Sequence, residues 1–293
     1  GTTTGNNRCM RVRITTGTLN VGGNLVLNNP VNTSNNCGAN GGFGTPPTMV
    51  SIDMSGGAGV LNVASSVTVA NPSSVVLGLT AHADSYFRYN GSAAGQTVAA
   101  PASTSWVYAN IHLANTHAAG AVLDGALGSS KNIGNIRVLE GLFSNGGFAI
   151  SLVAGKTFEV ANGATFRLTG TSGMVTPETG SISKTFGATS TVDYAGTSQT
   201  VSAEAYGHLL ISGSATKTLA ANASVAGDLS VSAGTLDTAG FSVNRTSAGG
   251  TLTVAAGASL RIGGSAGFPA NYATRSLAAT STVEYAGTTQ AVA

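Results

Sequence analysis

The run from Ala188 to Ser202, ATSTVDYAGTSQTVS, returns almost unchanged from Ala279 to Ala293 as ATSTVEYAGTTQAVA. The difference of positions (279 − 188 = 91) sets the length of a module, and the same register can be followed backwards through small insertions. Gly227 to Phe241, GDLSVSAGTLDTAGF, is matched by Gly134 to Phe148, GNIRVLEGLFSNGGF, and more loosely by Arg11 to Asn20, RVRITTGTLN. Thr251 to Ile262, TLTVAAGASLRI, is matched by Thr157 to Leu168, TFEVANGATFRL, with Leu61 to Ala64 as a remnant in the first copy. The module thus occurs about three times, at roughly 91 to 105 residues per copy. A fixed period of this kind overrides any domain count based on length, so residues 1–293 are expected to form one repetitive array.

Within each module, period-2 runs of four to seven residues are punctuated by Gly, Asn or Ala-Gly. In Leu229–Val231, Leu252–Val254 and Leu260–Ile262 apolar residues alternate with small polar or charged ones, the pattern of a strand with one face in a core and one in water. Helical spacing is nowhere sustained. Turn sequences such as Ala233-Gly-Thr235, Ala239-Gly-Phe241 and Asn162-Gly-Ala164 recur every eight to twelve residues or so, where Gly supplies backbone angles that other residues resist.

Equivalent runs begin at Leu209, Leu229 and Leu252 (229 − 209 = 20, 252 − 229 = 23). That spacing is too short for a self-contained sandwich of about 100 residues and suits one turn of a β-helix. The expected fold is all-β, a parallel β-solenoid. With about 22 residues per coil it has about thirteen coils, and at ~4.8 Å per stacked strand it makes a rod on the order of 60 Å long. A module is then four coils. Inward Val, Leu, Ile and Phe stack coil on coil, and stability adds up along the axis. A narrow bore would also account for the low aromatic content of 6%.

The run Thr-Val-Asp/Glu-Tyr-Ala-Gly-Thr-x-Gln, followed by Tyr206 to Leu219, YGHLLISGSATKTL, and Val225 to Val231, VAGDLSV, resembles the repeat of large secreted bacterial β-solenoid surface proteins, adhesin-like and autotransporter-passenger-like. The resemblance covers Ser85 to Ala293 well and Gly1 to Asp84 poorly. It implies an extracellular or cell-surface structural role, in adhesion or filament formation, and brings no catalytic residues with it.

Only 8% of the 293 residues are charged, with 13 Lys and Arg against 11 Asp and Glu, for a formal net charge of +2. A nucleic-acid binder would gather its cations on one face, whereas these are scattered singly. The abundance of Val, Ile and Thr argues against disorder. No membrane insertion is expected, because the uncharged run from Tyr89 to Leu123 is interspersed with Asn, Gln, Ser, Thr and Pro.

Cys9 and Cys37 stand close together in sequence (37 − 9 = 28), and the remaining chain has no other cysteine. They read either as a disulfide clipping an N-terminal loop or as two buried thiols. No zinc spacing exists, and no cofactor motif. Gly1 is not an initiator Met, which suggests that an upstream signal has been removed or that the chain lies inside a longer protein.

Glycan-cleaving β-helix enzymes need clustered carboxylates on one outer face. The 11 acids here are spread one or two per coil, so no catalytic centre is expected, and a glycan-binding or glycan-cleaving protein stays as the alternative. Asp193 and Glu284 hold one module position, but Arg88 takes it in the earlier copy. Tyr89, Tyr194 and Tyr285 recur, as do Gln96, Gln199 and Gln290. The plain explanation is Tyr packing over a turn and Gln amides satisfying loop carbonyls. The sharper one is a binding stripe of exposed Tyr89, Tyr194 and Tyr285, with Trp106, stacking on sugar rings. His112 and His117 are five apart and face opposite sides of a strand, so no metal site is expected.

Two features bear on assembly. Positions Arg11, Asn135 and Asp228 are equivalent but unevenly spaced (135 − 11 = 124, 228 − 135 = 93), so about 31 residues (124 − 93) are inserted in the first copy. They fall in 28–58, a stretch rich in Asn, Gly and Pro that is expected to leave the rod as a loop. The repeat also stops in mid-module at Ala293. Continued coil stacking is therefore expected, by a longer parent polypeptide or by head-to-tail self-association. The functional expectation is an extracellular structural or adhesive rod whose partners are further copies of itself and surface glycans.

Overall fold

The computed structural model describes residues 10–28, 50–70, 77–100, 106–128, 133–287 and 290. Its strands are two to ten residues long, and every ladder between them is parallel. Short runs bounded by Gly and Asn cannot fold back as hairpins here, because each pairs with a counterpart one coil away in sequence. The result is a three-sided parallel β-solenoid, as the repeat spacing predicts.

The first side passes through β2 (Thr18–Val21), β5 (Val60–Val63), β8 (Tyr86–Tyr89), β10 (Asn110–Asn115), the first half of β12 (Asn135–Ser144), β14 (Thr157–Val160) and β17 (Ser183–Phe186). An ion pair between Lys184 and Glu204 ties β17 to the next segment of this side, β20 (Ala205–Tyr206), β23 (Ala223–Val225) and β26 (Val243–Asn244).

The second side begins with β3 (Leu25–Asn28) on β6 (Val67–Ala70). It continues through β9 (Gln96–Val98), β11 (Ala121–Leu123), the second half of β12, β15 (Thr165–Leu168), β18 (Thr191–Tyr194), β21 (His208–Ile211), β24 (Leu229–Val231), β27 (Gly249–Val254) and β29 (Tyr272–Leu277).

The third side starts with β1 (Met10–Arg13), β4 (Val50–Met54) and β7 (Leu77–Ala81). A bridge from Leu79 to Trp106 and the pair β13 (Ser151–Leu152) and β16 (Thr176–Pro177) follow. Then come β19 (Gln199–Val201), β22 (Thr216–Leu219), β25 (Thr235–Asp237), β28 (Ser259–Ile262) and β30 (Thr282–Tyr285).

The longest continuous path of paired strands, from β2 to β29, passes through eleven, one per coil. The coils are therefore fewer than the thirteen expected. Their unequal lengths are the reason, as register partners show: Thr18 with Val60 (60 − 18 = 42), Thr165 with Thr191 (191 − 165 = 26) and Thr191 with His208 (208 − 191 = 17).

The 91-residue module is likewise not four coils. From β18 the second side rises through β21, β24, β27 and β29, four rungs, and the module's next copy of β18 is the following side, β30. The earlier copy behaves the same way: from β8 the first side rises through β10, β12, β14 and β17, and the equivalent strand is again one side further on, β18. Each module is thus four coils and one side, thirteen sides in all (4 × 3 + 1), and every repeat is rotated by one face relative to the last.

Burial alternates strictly along the strands, as in β5, β8, β14, β15, β21 and β28, because successive side chains of a strand point to opposite faces. The inward residues form one continuous column from Ile14 to Tyr272. Aromatic side chains sit inside this column, with Phe87, Phe143, Phe158, Phe166, Tyr108 and Trp106 fully buried. Their rings meet along the axis: Phe87 lies edge-on to Tyr108 at 5.5 Å, Phe143 stacks with Phe166 at 5.7 Å and Phe158 meets Phe166 at 4.7 Å. The bore is therefore wide enough for them, contrary to the narrow bore expected.

The inserted stretch 28–58 is not all loop. Residues 50–54 form β4, paired in register to β1 below and β7 above, with Ile52, Asp53 and Met54 buried. This segment alternates Val, Ile and Met with polar residues, which fits a strand of the rod. Positions 29–49, Cys9 and Cys37 lie outside the described residues. Among the described residues no helix is long and apolar enough to cross a membrane.

Candidate functional site

The recurring Tyr and Gln side chains turn inward. Tyr89, Tyr194 and Trp106 are fully buried, so they form no exposed binding stripe; Tyr285 is partly buried and packs against the core. The rotation of the module removes the stripe independently, since Tyr89, Tyr194 and Tyr285 fall on the first, second and third sides. The buried phenols of Tyr89 and Tyr194 are each satisfied by a second Tyr from the next stretch of chain. Tyr89 and Tyr108 hydroxyls meet at 2.8 Å, and Tyr108 donates to the Ala99 carbonyl. Tyr194 and Tyr206 hydroxyls meet at 2.9 Å, and Tyr206 donates to the Ser202 carbonyl. Burial pushes all four phenols above their ordinary range.

The Gln amides satisfy loop carbonyls, as their recurrence suggested. Gln199 Oε1 accepts from the Gly196 amide at 2.9 Å, and its Nε2 donates to the Leu168 and Ser172 carbonyls of the coil below. Gln96 accepts from Gly91 and donates to Val63 and Ser65; Gln290 accepts from Gly287 and donates to Ile262 and Ala266. Each amide thus pins one corner turn to the coil beneath it. In the coil above Gln199 the register partner is Lys217, wholly buried, which donates to the Ala215 carbonyl; burial pushes its ammonium below the ordinary lysine range.

The outer faces hold cross-coil charge pairs that the module pattern did not reveal. Arg137 makes a two-pronged contact to Glu159, with Nε to Oε2 at 2.8 Å and Nη2 to Oε1 at 3.1 Å. Arg167 Nε donates to the buried Asp193 at 2.8 Å, and Ser212 donates to the other oxygen of that carboxylate. The module-equivalent pair is Arg261 with Glu284, where Arg261 also meets Asp237 at 2.6 Å. Asp237 and Glu284 are the carboxylates that converge, and they do so across a guanidinium. The sequence signal was available in the spacing of Arg137 and Glu159 (159 − 137 = 22) and of Arg167 and Asp193 (193 − 167 = 26), each one coil.

Where the first side narrows to the two- and three-residue strands β20, β23 and β26, its surface sinks into an open trough of about 470 Å³. Glu204, Asn222, Ser224, Asn244 and Arg245 line it together with Ala205 and Ala223. The lining supplies amides, a hydroxyl, a carboxylate and a guanidinium. That is a surface suited to a hydroxyl-rich ligand.

His112 and His117 do not come together. His112 lies on the outer side of β10, its ring stacked on Tyr86 at 4.3 Å, while His117 lies in the turn beyond β10, where its Nδ1 accepts from the Ala119 amide. Among the described residues no group of three His, Cys, Asp or Glu side chains could hold a metal ion. No family model, curated protein or solved structure matches the chain.

Proposed function

We propose that the chain is an extracellular structural repeat protein, a rigid rod that serves as a scaffold in adhesion or in a filament at a cell surface. The observation that supports this reading is the unbroken parallel ladder from β2 to β29 around one filled column of core. A solenoid of this kind is stiff because every coil is hydrogen-bonded and packed against both neighbours, and it offers long polar faces for contact. Self-association, head to tail or within a longer polypeptide, belongs to the same proposal. Surface fractionation and negative-stain electron microscopy of native material test it, with rods or filaments on the cell envelope as the expected result. Recovery of the protein only as a monomer from the cell interior would overturn it.

The trough over β20, β23 and β26 favours a second reading, binding of a glycan. Microarray binding to uncharged glycans, lost on substituting Asn222 and Asn244 by Leu, is its expected outcome. Release of reducing sugar from a bound polysaccharide would instead make the protein an enzyme.

A further inference from the structure

The module sets one inward position of the core column in three different surroundings. Leu79, Lys184 and Arg275 are equivalent, each standing ten residues before a recurring Tyr (89 − 79, 194 − 184 and 285 − 275), and they fall on the third, first and second sides. All three are inward by register: Leu79 stands on the buried Ile52, Lys184 on the buried Phe158 and Arg275 on the buried Leu252. The coil above covers the first two with matching chemistry. Leu79 is bridged to Trp106, apolar on apolar, and Lys184 is ion-paired to Glu204. Trp106 and Glu204 are themselves equivalent, each two residues before the Tyr, Tyr108 or Tyr206, whose hydroxyl meets that of Tyr89 or Tyr194. Tyr206 also sets its ring against that of Phe186, the next inward residue after Lys184, at 5.7 Å.

Arg275 is the third case. Among the described residues β29 is the last strand of the second side, and its inward residues Arg275 and Leu277 are exposed, Leu277 by 45%. The guanidinium lies over the Phe268 ring at 5.1 Å, and its Nη2 donates to the Ala270 carbonyl at 3.4 Å. An apolar cover of the Trp106 kind would bury this charge without a counter-ion, which is costly, whereas a carboxylate of the Glu204 kind answers it. We propose that β29 receives, by strand addition, an extended segment with an acidic residue two before a tyrosine, the acid against Arg275 and the ring over Leu277. The inference rests on the reading of continued coil stacking and specifies what the stacking coil must carry. A second folded copy fits less well, because its first strands, β1 (MRVR) and β2 (TLNV), carry no acid.

The test is fluorescence anisotropy of a labelled peptide, residues 203–212 of this sequence (AEAYGHLLIS), titrated with the full chain. Saturable binding is expected, weakened about tenfold by Glu204→Gln in the peptide or by Arg275→Gln in the chain. Arg275→Glu should abolish it, and Glu204→Arg in the peptide should then restore it. Lys156→Gln, which removes a charge between β13 and β14, should leave it unchanged. A free strand gives up its disorder on docking, so the same contact is also read in the full chain extended after Ala293 by residues 203–293, a join that repeats the step from Ser202 to Ala203. There Arg275→Gln and Glu→Gln at the appended Glu204 should each lower the urea midpoint, and together no further than either alone. That coupling supports the proposal even where the free peptide binds too weakly to register. Additive losses in the extended chain, peptide binding indifferent to the charge at Arg275, or self-association of the unextended chain that Arg275→Gln weakens and the peptide does not displace, would each overturn it. Absence of rods from the cell envelope would sink the structural reading instead and leave these binding results standing.

Discussion

Gln199 shows how much a single polar side chain does in this fold. Its amide holds a donor of its own corner turn and two acceptors of the coil below, at a buried site. Gln199→Ala strands the Gly196 amide and the Ser172 carbonyl, and should cost about 2–3 kcal/mol in urea unfolding. Gln199→Glu should cost at least as much, since it keeps the acceptor but loses both donors and buries a charge. His112 makes a pH-dependent contribution. Burial, with Arg137 and Arg88 to either side, pushes its imidazole down to about 4, against the opposing pull of Glu159 and under the ring of Tyr86. The unfolded chain therefore takes up a proton that the folded chain refuses. Stability is full above the ordinary value of 6.5, falls as the pH drops from there to about 4, and is level below. The loss should be about 1–2 kcal/mol once the solvent contact of the ring is allowed for, and His112→Gln should abolish it, as urea midpoints at pH 7 and 4.5 will show.

At the level of elements, corners and strands respond differently to change. A Cβ on Gly196 would lie 2.0 Å from the Gly170 carbonyl oxygen, and one on Gly213 would lie 1.9 Å from the Gly196 carbonyl oxygen. These glycines stack on one another at a corner where backbone meets backbone, so Gly196→Ala must push coils apart. It should cost more than about 3 kcal/mol, read as a lowered unfolding midpoint. β4 makes the complementary point. Removing residues 50–54 takes Ile52 and Met54 out of the column and separates β1 from β7. Limited proteolysis of that deletion should degrade the N-terminal coils while leaving the coils beyond β14 resistant, because each coil depends on its neighbours alone. The strands were legible in the sequence, since inward and outward residues alternate in runs such as Leu229–Val231 and Leu260–Ile262. β4 was not, because Val50 to Met54 sits in a stretch dominated by Asn, Gly and Pro. The burial of Tyr89 and Tyr194 was not legible either, since their alternation with Arg88 and Asp193 fits an inward or an outward phase until the partners Tyr108 and Tyr206 are placed beside them.

Across the whole molecule, the sequence repeat and the structural repeat are out of step. The mismatch could not be seen from sequence, because coils as unequal as Thr165 to Thr191 (191 − 165 = 26) and Thr191 to His208 (208 − 191 = 17) hide the count of sides. It has a testable consequence. Deleting residues 188–278 removes one module and joins Gly187 to Ala279, so that STVEYAGTTQ follows β17 in place of STVDYAGTSQ. In the full chain Thr282–Tyr285 pairs with β28 on the third side; in the deletion it should move to the second side and pair with β15, the place of β18. Thr165 would then face Thr282 as it now faces Thr191, at a separation a disulfide can span. Thr165→Cys with Thr282→Cys should therefore oxidise to a crosslink in the deletion and not in the full chain, where the two residues lie on different sides. The partner of Glu284 should change with it, from Arg261 to Arg167, so that Arg167→Ala weakens the shortened protein at the same coil in which Asp193 is lost. A crosslink in the full chain would contradict the placement of β15 and β30 on different sides, and its absence in a folded deletion would show that STVEYAGTTQ does not take the place of β18.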